Sequence, residues 1–164
     1  SCEISFIALP PERAMLALAK GDIDLMMAAS LSPERDKFAY FSKPYRREII
    51  AVLGRSDGAR VHDWQDIPDS HQVLLAPRHG YYGEQWQQAS GELLAADALI
   101  FYSSYTSAVG MLKAARANFV LGDAYALQVA ADELRVPLTE PLIIAHDAPV
   151  HFMYSRQSVQ LETV

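Results

Sequence analysis

Hydrophobic positions along the chain fall into short, strand-sized runs separated by stretches with helical spacing. Residues 3–9, with Ile4, Phe6 and Ile7, predict a short buried strand. Pro10-Pro11-Glu12 then reads as a helix start, with proline and an acid in the first turn, and Lys20-Gly21 as its stop. Met15, Leu18 and Ala19 share one face of that helix. Residues 24–29 return as a buried strand, so the opening predicts a βαβ unit with parallel pairing. After Tyr45, residues 48–53 predict a further strand and residues 54–59 a turn or linker.

A second alternation begins at Gln72. Strands are predicted over 73–76, 98–102, 118–122 and 142–145, and helices over 83–90, 104–115 and 123–134, with Ser104 as a cap. Pro149 precedes one more apolar strand, 150–154. The expectation is an α/β protein of two lobes with doubly wound, mainly parallel sheets joined by a two-strand hinge. Residues 1–54 and 149–164 form the first lobe, and residues 55–148 the second. The first lobe has few elements and little core for its own stability, and is expected to be incomplete.

Composition narrows the function classes. A chain of 164 residues with 51% hydrophobic and 21% charged residues is globular in character. No apolar run approaches the ~20 residues of a membrane-spanning helix. A net charge of −6, with no basic stripe, argues against a nucleic-acid partner. Ten of the 14 basic residues are arginine, which favours directed hydrogen bonding. The lone Cys2 has no internal disulfide partner and no neighbouring base.

The candidate chemistry starts between Gly21 and Tyr45. There a strand stops at a loop of hydroxyls, Ser30-Leu31-Ser32-Pro33, and a helical turn with Arg35 follows at once. Hydroxyls, helix-start amides and a guanidinium fork together suit a carboxylate. The plainer alternative is a surface arginine paired with Glu34 or Asp36. Asp123 stands at the C-terminal end of a predicted strand, where open parallel sheets place ligands, and a carboxylate there accepts from an ammonium group. Its alternative is the N-cap of the next helix.

Gly80-Tyr81-Tyr82-Gly83 is a glycine-bearing loop entering a helix, an anion site without the lysine and hydroxyl of a nucleotide loop. Arg78 and His79 beside it either read a ligand side chain or are solvated. The five histidines show no metal-ligand spacing, and no Gly-x-Ser-x-Gly elbow occurs. Asp22 and Asp24 belong to a solvated turn, and packing is the default role for Trp64 and Trp86.

Three blocks in order resemble the bacterial periplasmic solute-binding proteins of the polar amino-acid type, extracellular solute-binding protein family 3. The first is Gly21-Asp22-Ile23-Asp24 through Ser30-Leu31-Ser32-Pro33-Glu34-Arg35 to Phe41-Ser42-Lys43-Pro44-Tyr45. The second is Trp64-Gln65-Asp66-Ile67 with Gly80-Tyr81-Tyr82-Gly83, and the third is Ala115-Arg116-Ala117-Asn118 through Gly122-Asp123. The resemblance implies the type 2 periplasmic-binding fold, lacking the N-terminal strand and helix and the C-terminal helices. It therefore leaves an aromatic wall of the pocket outside this chain.

The resemblance further implies a substrate-binding protein that captures a small polar amino acid or related carboxylate for an ABC-type importer, in the periplasm, beside a membrane permease. It implies ligand contacts from Ala28, Ser30 and Arg35 on the first lobe and from Arg78, Gly80, Tyr81, Tyr82 and Asp123 on the second. Such a protein is a binding module and not an enzyme, needs no cofactor or metal, and does not itself span the membrane. Two rivals share the fold: the extracytoplasmic sensor of a membrane signalling protein, and the cyclohexadienyl dehydratases. The dehydratase chemistry asks for a general acid, and no residue here can be singled out for it.

Overall fold

The computed structural model describes residues 3–78 and 82–160. Cys2, His79, Gly80 and Tyr81 lie outside the described residues. The elements follow in the order α1 (Pro11–Lys20), β1 (Leu25–Ala29), α2 (Pro33–Asp36), β2 (Ala39–Phe41), β3 (Arg46–Gly54), α3 (Asp66–Asp69) and β4 (Leu74–Pro77). They continue with α4 (Glu84–Ala95), β5 (Leu99–Tyr102), α5 (Tyr105–Lys113), β6 (Phe119–Asp123), α6 (Ala124–Leu134) and β7 (Ile143–Ser155). The chain divides into two compact units, residues 1–47 with 148–164 and residues 48–147. Both divisions fall inside strands, β3 and β7, so the chain passes from one unit to the other in extended form.

In the second unit β4 pairs in parallel with both β5 and β6, while β3 runs antiparallel to β6. The strand order is β5-β4-β6-β3, with β7 beyond β3. Strands β4 and β6 and residues 50–54 of β3 are buried on both faces, and the period-2 alternation assigns their residues to two cores. Ile50, Val52, Leu74, Ala76, Phe119 and Leu121 pack on one side with Ile67, Trp86 and Leu93. Ala51, Leu53, Leu75 and Val120 pack on the other with Val109, Leu112, Leu127 and Ala131 from α5 and α6. Ser104 caps α5 through a reciprocal box, its hydroxyl accepting from Ser107 N–H at 3.1 Å while Ser107 Oγ accepts from Ser104 N–H at 3.2 Å. Trp64 and Trp86 lie 5.9 Å apart against the first of these cores.

The first unit is built around β7, with β1 and β2 both antiparallel to it. Its core consists of Leu18, Ala29, Ala39 and Met153, flanked by Met15, Ile23, Met26, Phe38 and Phe41. Helix α1 ends where the helical pattern stops: Gly21 adopts φ 82°, its N–H bonds to Leu18 O, and Asp22 N–H bonds to Ala17 O. A Cβ at Gly21 would stand 2.8 Å from Gln157 Cβ, so space as well as backbone angle requires glycine.

Three expectations fail here. Residues 3–9 form no strand, and Ile4, Phe6 and Ile7 are 74%, 82% and 63% exposed. The hydrogen bonds of β1 go to β7 instead, so the parallel βαβ pair does not form. An apolar run specifies that a segment gains by burial, but supplies no partner strand for it. The predicted strands 142–145 and 150–154 are one strand, β7, continuing through Pro149. Proline's fixed φ is compatible with extended backbone, and Pro149 is exposed.

Candidate functional site

In the first unit, Ala28, Ser30 and Arg35 come together at the C-terminal end of β1. The β1–β7 register slips between Met26 and Ala29, and Ala28 takes a left-handed conformation, φ 54°. That region costs a residue with a Cβ about 1–2 kcal/mol, so the surroundings must hold it there. Ala28 N–H donates to Tyr45 Oη at 3.1 Å, buried Ala29 sits opposite His151, and Arg35 Nη1 donates to Ser30 O at 2.8 Å. Tyr45 is itself stacked on Phe152, with ring centroids 4.3 Å apart and planes 12° from parallel.

Arg35 follows from a local capping arrangement. Ser32 is the N-cap of α2, its hydroxyl accepting from Arg35 N–H at 3.4 Å, while Asp36 N–H bonds to Ser32 O at 3.0 Å. Glu34's carboxyl is held below the usual carboxylate range, first by its own backbone N–H and then by the Ser32 hydroxyl. These partners occupy the amides of Glu34, Arg35 and Asp36 at the helix start. Among the described residues Arg35 makes no salt bridge, and its neighbour Asp36 pairs with Arg156 at 3.3 Å. Of the surface-pair alternative, the charge of Arg35 does act on Glu34, helping to hold its carboxyl low.

In the second unit, the parallel register Pro77↔Tyr102 and Leu75↔Val120 brings Arg78, Tyr102 and Asp123 to the same C-terminal edge of the sheet. Asp123 is 5% exposed and caps α6, with Oδ1 accepting from Ala126 N–H at 3.1 Å. The capping role is thus real, and it engages one of the two carboxylate oxygens with that amide. Beside it, Gly122 is tightly covered: a Cβ there would meet Tyr105 at 2.8 Å and the Tyr102 hydroxyl at 2.9 Å. Tyr102 Oη donates to Leu121 O at 2.9 Å, and the Tyr102 and Tyr105 rings are 6.0 Å apart.

Tyr82 packs against the core of the other sheet face. Burial, then Tyr105 and Glu48, push its phenol up to about 12, and burial also raises that of Tyr102. Gly83, with φ 95°, passes so close to Ala145 O that no side chain fits, and it delivers the chain into α4. Arg78 is exposed and lies over Phe101, its Cζ 5.0 Å from the ring centroid. Gly80 and Tyr81 fall among the undescribed residues.

Sequence reasoning missed the Tyr45–Ala28 hydrogen bond and the Tyr102–Tyr105 pair over Gly122. Tyr45 stood in a quoted motif, but nothing in sequence spacing links it to Ala28, 17 residues earlier. Tyr102 ends β5 and Tyr105 opens α5, so those two are near in the chain, while Tyr82 lies in the loop before α4. No group of three or more His, Cys, Asp or Glu side chains able to hold a metal ion occurs among the described residues.

No protein-family model matches the sequence, and no curated protein sequence matches it. Solved structures do match. A mutant of ArgBP from T. maritima superposes with a TM-score of 0.67 at 16% identity, covering 94% of this chain and 65% of that one. A histidine kinase sensor domain with similarity to periplasmic binding proteins gives 0.64 at 16% identity, covering 89% and 62%. The ancestral amino acid-binding protein AncCDT-1, a precursor of cyclohexadienyl dehydratase, gives 0.65 at 20% identity, covering 93% and 64%. The chain thus spans less than two thirds of the length of each of these structures. At these identities the likeness establishes architecture: the chain has the α/β fold of the type 2 periplasmic-binding proteins.

Proposed function

We propose that the protein is a substrate-binding protein for a small polar amino acid or a related carboxylate, delivering it to an ABC-type importer outside the cytoplasm. The observation that carries this reading is Arg35, a guanidinium in no salt bridge among the described residues, held by Ser30 and Ser32 at the end of a strand. A planar fork held in this way suits bidentate pairing with a carboxylate. On the second unit, Asp123 stands at the strand edge where parallel sheets receive ligands, and its carboxylate would accept from the ligand's ammonium group. Tyr82 and Arg78, with Gly80 and Tyr81, would contact the rest of the ligand.

The mechanism would be hinge closure, with β3 and β7 as the hinge. A ligand favours the closed state only if it gains contacts from both units there. The amino-acid binding named for ArgBP and AncCDT-1 supports the ligand class. A membrane permease would be the partner, with neither cofactor nor chemical step. No described helix is long and apolar enough to cross a membrane.

A thermal-shift screen over the standard amino acids and small carboxylates tests this directly, because a ligand of the folded state raises the unfolding temperature by mass action. A shift with one or a few amino acids is expected, and no shift with any of them refutes the reading. The likeness to a histidine kinase sensor domain favours a second reading, ligand sensing for a membrane signalling protein. A transmembrane helix with a kinase or cyclase domain in the same gene would decide for it. The likeness to a dehydratase precursor is tested by incubation with prephenate, where formation of phenylpyruvate would replace the binding reading with an enzymatic one.

A further inference from the structure

We infer that Tyr45 is a positioning residue for the proposed ligand site: its phenol oxygen holds Ala28 in the left-handed conformation that sets the course of the Ala28–Ser30 strand end. The inference rests on the binding reading for its effect on affinity, but its conformational part stands on geometry alone. Ala28 has φ 54°, a region open to glycine and unfavourable for alanine, at a point where the β1–β7 register slips.

Two anchors act on the residues after it. Ala29 is buried opposite His151, and the Ser30 carbonyl accepts from Arg35. The contact that acts on Ala28 itself is the hydrogen bond from its N–H to Tyr45 Oη, 3.1 Å long. Tyr45 is well suited to hold a strained neighbour because its own ring is fixed independently. It stacks on Phe152 of β7, and its N–H donates to Val150 O at 3.1 Å. Were Ala28 to relax to extended backbone, the peptide groups that follow would turn with it, and Ser30 would lose its register with Arg35.

The test is Tyr45→Phe in the full chain, which keeps the stacked ring and removes only the hydroxyl. Amide hydrogen exchange at Ala28 should become several-fold faster, whether or not ligand is present. Affinity is read by calorimetry with each standard L-amino acid in turn, and for those that bind it should fall about three- to tenfold. Adding Ala28→Gly to Tyr45→Phe should restore the lost affinity, because glycine takes the left-handed conformation without steric cost. A purely structural role for the hydroxyl would not be rescued from position 28.

Unchanged exchange at Ala28 overturns the inference, and so does a loss of affinity that glycine fails to rescue. Faster exchange with unchanged affinity overturns the role of Tyr45 in binding. If no amino acid binds even the unaltered chain, the binding reading fails, and the exchange measurement still decides the conformational claim.

Discussion

The two units use their hydrophobic residues differently. In residues 48–147 strands β3, β4 and β6 are covered on both sides and divide their residues between two cores that include Phe119 and Leu112. In residues 1–47 with 148–164, four buried residues form one small cluster, and β1 is mostly exposed. The half of the proposed site with Asp123 therefore rests on a densely packed sheet edge. The half with Arg35 rests on hydrogen bonds at a strand end: Tyr45 to Ala28, Ser30 to Arg35, and Ser32 to the start of α2. A polar site can be fixed by packing beneath it or by hydrogen bonds beside it, and this chain uses each in a different unit.

The largest test of the contrast is truncation of the cores. Phe119→Ala should cost about 3–5 kcal/mol in denaturant unfolding, and Leu18→Ala should stay near the low end of the ~2–5 kcal/mol range for buried leucine. Amides of β1 and β2 should exchange faster than those of β4 and β6. Equal costs and a single cooperative transition for every amide would erase the distinction between the units.

Arg35→Ala separates binding from stability next. Losing a bidentate, charge-assisted partner should weaken amino-acid binding by about 100-fold in calorimetry. The unfolding free energy should change by no more than about 1 kcal/mol, because the side chain takes no part in the core. Retained affinity would remove Arg35 from the site.

Alkaline pH probes the second unit. Tyr82's phenol is raised to about 12 in the fold, above its ordinary value of 10.0, so the fold keeps the proton more tightly than the unfolded chain does. The associated stability is complete below pH 10 and is lost as pH rises towards 12. Because the side chain is only half-buried, the expected loss is on the order of 1–2 kcal/mol, and Tyr82→Phe should remove most of it from a stability–pH profile.

The smallest and most discriminating change is Asp123→Asn. Asparagine caps helices about as well as aspartate, so the α6 cap should survive. Loss of the charge should then weaken amino acids about tenfold more than the matching carboxylates without an amino group. An equal loss for both would leave Asp123 as a cap alone.

Much of the second unit was legible in the sequence. Strands there are apolar on both faces and bounded by clear signals such as Ser104, so α4, α5, α6 and the strands between them appear near the expected positions. Asp123 was legible as well, because a strand end and a helix start met at one acidic residue. The first unit was less so. Residues 3–9 had the composition of a buried strand, yet they join no strand and Ile4, Phe6 and Ile7 are exposed. Tyr45 gave no signal of its part, since its hydroxyl reaches Ala28 only after β7 has placed the ring beneath it.

By itself, then, the sequence determined where the chain is extended, where it is helical, and that Ser30, Ser32 and Arg35 share one short loop, because those are local consequences of periodicity, capping and spacing. Tertiary structure alone decided that Asp36 pairs with Arg156, 120 residues on, and that Tyr45 reaches Ala28. It also decided that alanine holds a left-handed turn at position 28 and that Tyr102 and Tyr105 close over Gly122 beside Asp123. Hydrogen bonds and contacts between residues far apart in the chain exist only once strands are placed side by side, and no local pattern specifies which strands those will be.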